Sequence, residues 1–157
     1  MNPCVVNFAT NRGWYQRGQE RLRSSLRAQN YQGAFLGLTT YPARCLSHLV
    51  NPYAFKVYAL YEAARQGHDL LIWLDASCWA IKSIDPIIEE TEREGHLLFT
   101  CGWSTGQWCT DKALTILSTD REEALKISLV IGGCVCLNLK NERSLRFLQY
   151  WREAADR

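Results

Sequence analysis

The sequence LLIWLD, from Leu70 to Asp75, is an apolar run that ends in a single acid. A continuous apolar run of this length is typical of a central strand that is buried on both faces of a sheet. The acid then lies where the strand emerges from the core. Because ligands of open α/β sheets bind beyond the carboxyl ends of the strands, we predict that Asp75 marks the edge of the sheet at which the protein functions.

Other apolar, β-rich runs occur along the chain, and helical patterns separate most of them. Besides Leu70 to Asp75, these runs are Cys4 to Ala9, Ala34 to Thr40, Leu97 to Cys101 and Val130 to Leu137. The alternation predicts the α/β class, with three layers in which a mostly parallel sheet is flanked by helices. Residues 1–157 contain no repeat, low-complexity tract or linker, so we expect one domain.

Three helices are predicted from apolar spacing and capping signals. Apolar residues recur at helical spacing between Pro52 and Gly67, and the glycine supplies a stop. Thr119 and Glu122 fit a capping box at the start of a helix that runs through Ile127. A last helix carries an apolar stripe that consists of Leu145, Leu148, Trp151 and Ala155.

The chain has the composition of a globular protein, with 47% hydrophobic and 22% charged residues. Its formal net charge of +2 is too small to indicate a polyanionic partner, so we expect no nucleic acid to bind. No apolar stretch is long enough to span a bilayer, and the first residues lack the charged and apolar regions of a signal peptide. We therefore expect a cytoplasmic protein.

The seven cysteines form no CxxC pair, and no histidine stands at zinc-finger spacing. Neither a structural zinc site nor a disulfide framework is expected. Cys134 and Cys136 are two residues apart in an apolar run, so both would face the same side of a strand. We expect them to pack in the core as small apolar side chains.

Asp75 has several chemically reasonable roles at the end of a strand. Its carboxylate could bind a hard metal ion, or it could accept hydrogen bonds from the hydroxyl groups of a ribose. Equally, it could be a strand-end residue that caps a turn. Position alone does not separate these roles.

The segment LIWLDAS, from Leu71 to Ser77, and the pair Asp85-Pro86 resemble the strand and DxD region of A-type glycosyltransferases, closest to family 8. The resemblance extends to VIGGCVCLNL, from Val130 to Leu139, which is similar to a small-residue strand that these proteins use beside the sugar. It also includes NPYAFK, from Asn51 to Lys56, where the family tends to place a lysine on the helix before the DxD strand. It implies an A-type glycosyltransferase-like fold with a Rossmann-like nucleotide-binding half.

By this resemblance, Asp75 is the first acid of DxD and contacts the nucleotide ribose or its metal ion, Mn²⁺ or Mg²⁺. Ser77 stands where the second acid belongs, and a neutral hydroxyl is a poorer ligand than a carboxylate for a hard divalent cation. Lys56 would belong to the donor site. Gly132 and Gly133 would let the backbone approach the sugar, although a bulge or tight packing would explain them equally well.

The residues after the first strand would receive the base and the diphosphate in an A-type fold. Thr10, Arg12 and Tyr15 occupy these positions, and an arginine can fork onto diphosphate oxygens. Arg12 also begins a basic run. The arginines after position 17 are expected to lie on the solvated face of a helix.

Members of the family continue beyond the helix that ends near Arg157, and their later segment supplies a histidine metal ligand and part of the donor pocket. The chain is therefore expected to be truncated at its C-terminus, to be completed by another chain, or to bind without catalysing. An exposed stripe of Leu148 and Trp151 would fit a missing covering element. The same helix could mediate homo-oligomerisation.

The segment CGWSTGQWCTD, from Cys101 to Asp111, has the composition of a sugar platform. Apolar sugar faces stack on aromatic rings, here Trp103 and Trp108, while sugar hydroxyls find polar partners such as Gln107. Alternatively, both tryptophans fold inward as a lid over the core. Asp111 is the best candidate for a catalytic acid on the acceptor side.

The resemblance implies a glycosyltransferase that moves a sugar from a nucleotide-diphosphate sugar, with a UDP-sugar favoured, to a carbohydrate or protein acceptor. Similarity to family 8 would also imply that the anomeric configuration is retained. The alternative is a catalytically silent module that kept the fold and binds sugar or protein. Ser77 and the short C-terminus favour this alternative.

Overall fold

A five-stranded sheet forms the centre of the computed structural model, which describes residues 1–156. The strands are β1 (Pro3–Phe8), β2 (Ala34–Leu38), β3 (Leu70–Leu74), β4 (His96–Ser104) and β5 (Ser128–Asn138). Their order across the sheet is β2-β1-β3-β5-β4. Every strand predicted from the sequence is confirmed, with ends that shift by a few residues.

Strand β5 runs against its neighbours. β1 pairs in parallel with β2 and β3, whereas β5 pairs antiparallel with both β3 and β4. The sheet is therefore mixed, with one reversed strand between two that share a direction. The mostly parallel sheet is only partly observed, because an apolar run such as Val130 to Leu137 indicates burial but not strand direction.

Seven helices lie within the described residues. They are α1 (Gly13–Ala28), α2 (Phe55–Arg65), α3 (Asp85–Glu94), α4 (Thr105–Trp108), α5 (Asp111–Ile116), α6 (Arg121–Leu125) and α7 (Glu142–Ala155). The helix predicted between Pro52 and Gly67 is confirmed as α2, and Gly67 follows its end with a φ of 87°. Among residues 1–156, no helix has both the length and the apolar composition needed to cross a lipid bilayer.

Successive residues of β1 point to opposite faces of the sheet and divide the core into two layers. Val5 faces α1 and α3, and Val6 faces α2 and α7. The first layer also contains Leu22, Leu26, Ile72, Ile84 and Cys136. The second also contains Val57, Leu60, Trp73, Leu137 and Leu148. Because burial of one such aliphatic side chain stabilises a fold by about 2 kcal/mol, these two layers hold the helices on both faces of the sheet.

The two neighbouring cysteines of β5 pack on one face of the sheet, as predicted. Cys136 is fully buried, Cys134 packs against the same layer, and their sulfur atoms lie 4.0 Å apart. The hydrogen bond with Cys134 and the burial of the thiol both raise the pKa of Cys136. Cys136 is therefore a neutral core residue.

The start of α6 corrects the predicted capping box. Asp120 is the N-cap residue, and its carboxylate accepts a hydrogen bond from the backbone N–H of Glu123 at 2.8 Å. The N–H of Thr119 instead donates to the carbonyl of Leu114. The prediction of a cap at Thr119 is wrong, because this residue closes the preceding helix, α5.

Three of the four residues of the apolar stripe of α7 face inward, whereas Leu145 is 41% exposed. Leu148 is only 1% exposed, and Trp151 packs against the same core layer. The expectation that these two residues are exposed is wrong, because α7 packs against α2 and the sheet. Homo-oligomerisation through α7 stays a prediction. On the outward face of this helix, Phe147 and Tyr150 are 40% and 62% exposed.

Candidate functional site

Asp75 follows β3 directly, at the edge of the sheet where the parallel strands β1 and β2 also end. Its backbone N–H donates to the carbonyl of Gly133 at 2.9 Å, which continues the pairing of β3 with β5. Its carbonyl accepts a hydrogen bond from the N–H of Cys78 at 2.9 Å and so begins a turn. The turn therefore uses only the backbone of Asp75 and leaves the carboxylate for other partners.

The carboxylate of Asp75 lies in a group of polar contacts that three elements build together. Its Oδ1 lies 2.8 Å from Nζ of Lys56 and accepts a hydrogen bond from Nε1 of Trp73 at 2.7 Å. Nζ of Lys56 also donates to the carbonyl of Gly132 at 2.6 Å. Helix α2, strand β3 and strand β5 thus meet at one point, and we call Lys56, Trp73, Asp75 and Gly132 the Lys56–Asp75 cluster.

Lys56 reaches the cluster from the first turn of α2 and is almost completely buried, with 6% of the residue exposed. A buried ammonium group needs an opposite charge and hydrogen-bond acceptors, which Asp75 and Gly132 supply. Its Nζ also lies 5.5 Å from the ring centres of Tyr53 and Trp73, within the range of cation–π attraction. These contacts fix the ammonium group at the edge of the sheet.

Gly132 and Gly133 leave room beside both charged groups. A methyl group added at Gly132 would lie 3.5 Å from Nζ of Lys56, and one added at Gly133 would lie 3.5 Å from Oδ2 of Asp75. The side chain of Asp75 is 36% exposed. The two glycines therefore stand where a side chain would shield the ion pair from a ligand.

Cys78 lies beside the cluster, but its thiol is poorly suited to nucleophilic catalysis. Its Sγ lies 3.7 Å from the carbonyl oxygen of Gly133. Burial raises the pKa of the Cys78 thiol, and the negative charge of Asp75 raises it further. Because the thiolate is the nucleophilic form, this environment keeps the sulfur unreactive.

A divalent cation, which the resemblance implies, fits these donors poorly. Oδ1 of Asp75 already accepts two N–H donors, which occupy its lone pairs, and one of them is an ammonium group that would repel a metal ion. Ser77 offers a hydroxyl in place of a second carboxylate. Among residues 1–156, no three His, Cys, Asp or Glu side chains converge to hold an ion. An ion at Asp75 remains a prediction.

A cavity of about 350 Å³ opens beside Ser77 and is lined by aromatic and basic side chains of α1. Trp14 and Tyr15 are 66% and 47% exposed, and their rings lie 5.7 Å apart in an edge-on arrangement. We call this cavity the α1 pocket, and its walls include Trp14, Tyr15, Arg17, Arg21, Ala76 and Ser77. Trp14 and Arg21 are two helical turns apart and therefore lie on the same face of α1. This spacing is the signal in the sequence that could have indicated that both line one pocket.

The α1 pocket exists because α1 lies close against the loop that follows Asp75. Arg21 donates to the carbonyl of Ser77 at 3.0 Å, and its guanidinium group stacks 4.3 Å from the ring centre of Trp79. A Cβ atom at Gly18 would come 2.2 Å from the carbonyl oxygen of Ala76, so this approach requires glycine. Arg21 is exposed, as expected of a solvated helix face, and it also has a partner on the loop.

The other predicted donor residues form the turn that leads into α1. Arg12 is the N-cap residue, and its carbonyl accepts a hydrogen bond from the N–H of Tyr15 at 2.9 Å. The carbonyl of Thr10 accepts from the N–H of Arg12 at 2.7 Å. The first turn of α1 contains no acid, so the unpaired N–H groups of the helix and the Arg12 side chain give this edge a positive potential.

Trp103 and Trp108 form an exposed aromatic pair. Trp103 is the next-to-last residue of β4 and Trp108 is the last residue of α4. Their rings meet edge to face with centres 6.0 Å apart. They are 54% and 64% exposed. The alternative of an inward lid is wrong, and the rings are available to a ligand.

Gln107 and Asp111 make structural contacts beside this aromatic pair. Oε1 of Gln107 accepts a hydrogen bond from the N–H of Ser104 at 2.8 Å, which completes a capping box at the start of α4. Asp111 pairs with Arg121, and Arg121 also donates to the carbonyl of Cys109 at 2.7 Å. Among residues 1–156, no hydrogen bond or ion pair links Asp111 to Asp75. An acceptor-side role for Asp111 stays a prediction.

Neither a protein-family model nor a curated protein matches this sequence. Among solved structures, the chain is similar to a glycosyltransferase involved in the glycosylation of the major capsid of PBCV-1, with a TM-score of 0.55 and 12% identity. The match covers 97% of this chain and 67% of that chain.

A second similar structure is an active-site mutant of LgtC, with a TM-score of 0.48 and 13% identity over 98% of this chain and 64% of that chain. The chain thus spans about two thirds of the length of these proteins. At such low identity the similarity to the PBCV-1 protein concerns the fold alone. The chain therefore has the α/β fold of a glycosyltransferase.

Proposed function

We propose that this protein transfers a sugar from a nucleotide-diphosphate sugar to an acceptor, and that the donor binds at the edge marked by Asp75. The observation that carries the proposal is that the Lys56–Asp75 cluster and the α1 pocket, whose wall includes Ala76 and Ser77, lie at one edge of the sheet. In open α/β folds this is the edge that binds nucleotides. The glycosyltransferase fold supports the same assignment.

The α1 pocket has the chemistry that a nucleotide requires. The exposed rings of Trp14 and Tyr15 offer surfaces for stacking a base. Arg17 lines the same pocket, and a guanidinium group binds phosphate oxygens in a forked geometry. Arg12 lies at the positive end of α1. Together these groups favour a nucleoside diphosphate, and we propose a UDP-sugar as the donor.

The cluster would hold the part of the donor that reacts. The carboxylate of Asp75 is proposed to accept hydrogen bonds from hydroxyl groups of the ribose or the sugar; the absence of a side chain at Gly133, which leaves Oδ2 unshielded, supports this role. Transfer of the sugar leaves negative charge on the diphosphate, and fixed cationic groups stabilise that charge in the transition state. Lys56 and Arg17 are the groups proposed for this task. Retention of the anomeric configuration, as in family 8, is part of the proposal.

The exposed pair of Trp103 and Trp108 is the proposed acceptor platform. Aromatic rings that remain accessible in a folded protein are common in carbohydrate sites, where they stack on apolar sugar faces. The same pair supports a second candidate function, namely a module that binds carbohydrate or protein without catalysis. The two functions differ in whether the donor is consumed.

A carbohydrate array incubated with labelled nucleotide sugars tests both functions at once. Transfer of label onto an array carbohydrate, and loss of that transfer in Asp75→Asn, would support the glycosyltransferase. Retention of the protein on the array with no donor consumed, even by hydrolysis, would support the binding module instead. Glu89→Gln is the matched control, because Glu89 is an exposed acid of α3 that lies outside the proposed site.

A further inference from the structure

We propose that the ammonium group of Lys56 takes the place of a divalent cation at Asp75, so that a nucleoside diphosphate binds to this protein without a metal ion. The inference rests on the proposed function, because it concerns the donor of that reaction. It departs from the metal site that the resemblance implies. The arrangement of Lys56, Trp73 and Asp75 carries this departure.

The ammonium group occupies one of the two oxygens of the Asp75 carboxylate, and an ion at the other oxygen, Oδ2, would lie close to this positive charge and be repelled by it. Nζ of Lys56 is 2.8 Å from Oδ1 of Asp75, and Nε1 of Trp73 donates to the same oxygen at 2.7 Å. A carboxylate oxygen has two lone pairs, and these two donors use both. An ion that displaced the ammonium group would leave a lysine that is 6% exposed without its charged partner, which is strongly unfavourable in a protein interior.

One N–H bond of the Lys56 ammonium group is available to a ligand. Two of its three N–H bonds have partners in Oδ1 of Asp75 and the carbonyl of Gly132. The contacts of residues 1–156 supply no acceptor for the third. Because Gly132 has no side chain, the space 3.5 Å from Nζ that a methyl group would fill is open to a ligand oxygen. A phosphate oxygen there would complete the coordination of the ammonium group.

The α1 pocket adds positive charge that the ion pair lacks. Lys56 and Asp75 neutralise each other, so together they neither attract nor repel an anion strongly. Arg17 and Arg21 line the pocket beside Ser77, two residues from Asp75 in the chain. A diphosphate that extends from the pocket to the cluster would meet guanidinium groups first and the ammonium group last. These groups supply charge that a metal ion supplies elsewhere.

Calorimetric titration of UDP, GDP, ADP and CDP into the wild-type protein, once in EDTA and once in excess Mn²⁺, tests the inference without any variant. We expect the nucleotide that binds to show dissociation constants that agree within about threefold in the two conditions. An affinity that rises about tenfold or more with Mn²⁺ would overturn the inference and leave the proposed function intact. A failure of all four nucleotides to bind in both conditions would overturn the proposed function, and the inference with it.

Two variants test the role of Lys56 itself. Lys56→Met keeps the length of the side chain, and we expect it to lose about tenfold or more in affinity in EDTA and to regain part of it with Mn²⁺, because Asp75 is then free for the ion. Gly132→Ala keeps both charges but places a methyl group 3.5 Å from Nζ, so it should weaken binding without lowering Tm. Lys112→Met, at an exposed lysine of α5, should bind like the wild type. Unchanged affinity in both Lys56→Met and Gly132→Ala would refute the inference.

Discussion

Nζ of Lys56 and Oδ1 of Asp75 lie 2.8 Å apart at the edge of the sheet, joining the first turn of α2 to the end of β3. The lysine is almost fully buried, whereas the carboxylate keeps contact with solvent through a side chain that is 36% exposed. This asymmetry means that the two partners depend on each other unequally. Removing the acid should therefore destabilise the protein more than removing the lysine.

A double-mutant cycle measures this dependence. Asp75→Asn leaves a buried ammonium group without its counter-charge and should lower the free energy of unfolding by about 2 kcal/mol. Lys56→Met leaves a carboxylate that water can still reach, and should cost about 1 kcal/mol. In the double variant neither charge is left alone, so chemical denaturation should show a coupling free energy of about 1 to 2 kcal/mol. Additive effects would show that the ion pair contributes nothing to stability.

Only part of the Lys56–Asp75 cluster can be predicted from the sequence. The apolar run before Asp75 correctly predicted a buried strand with an acid at its tip, because burial and strand length are local properties. The pairing of Asp75 with Lys56 depends on how α2 crosses the sheet, which no local pattern encodes. Only the family resemblance drew attention to that lysine.

The direction of β5 and the α1 pocket were missed for related reasons. The apolar composition of β5 indicates a central strand in either direction. The basic run predicts an exposed Arg21, which the structure confirms, but the partner of Arg21, the carbonyl of Ser77, comes from a loop that is distant in the sequence. Tertiary contacts of this kind decide which polar residues of an amphipathic helix become part of a site.

Gly18 offers a test of the contact between α1 and the loop after Asp75. Gly18→Ala would place a Cβ atom 2.2 Å from the backbone oxygen of Ala76, so the helix or the loop must move. We expect a loss of about 2 kcal/mol in stability, together with weaker nucleotide binding at the α1 pocket. Gly13→Ala in the same helix is the control, because an added Cβ there meets no atom within 4 Å. Equal melting temperatures for the two variants would show that this close approach is absent in solution.

Loss of the aromatic pair should weaken binding of the acceptor and leave binding of the donor unchanged. Trp103→Ala and Trp108→Ala each remove a stacking surface, which is worth about 1 kcal/mol or several-fold in carbohydrate affinity. Nucleoside diphosphate binding should stay unchanged in both. Tyr150→Ala removes another exposed aromatic ring, on α7, and should alter neither affinity. Carbohydrate binding that survives loss of both tryptophans would place the acceptor elsewhere.

The end of α7 should respond to acid through Tyr58 and Asp156. The Tyr58 hydroxyl donates to the carboxylate and holds the pKa of Asp156 below its ordinary value, with Arg152 acting in the same direction. Because the folded pKa is depressed, this stabilisation is fully present above about pH 4 and is lost as the pH falls through the folded value. Tyr58→Phe should therefore reduce stability by about 1 kcal/mol at pH 7 and by less in acid. A difference in stability that does not shrink in acid would contradict this account.

Calorimetric titration of nucleoside diphosphates into the wild type, Asp75→Asn and the control Glu89→Gln tests most directly whether the edge at Asp75 binds a nucleotide. A second titration into the Lys56→Met/Asp75→Asn double variant separates loss of binding from loss of folding. We predict that the wild type and Glu89→Gln bind one nucleoside diphosphate equally, and that both variants without Asp75 bind it about tenfold more weakly or not at all. Wild-type affinity in the variants that lack Asp75, or no binding by any nucleoside diphosphate to the wild type, would contradict the assignment of this edge as the donor site.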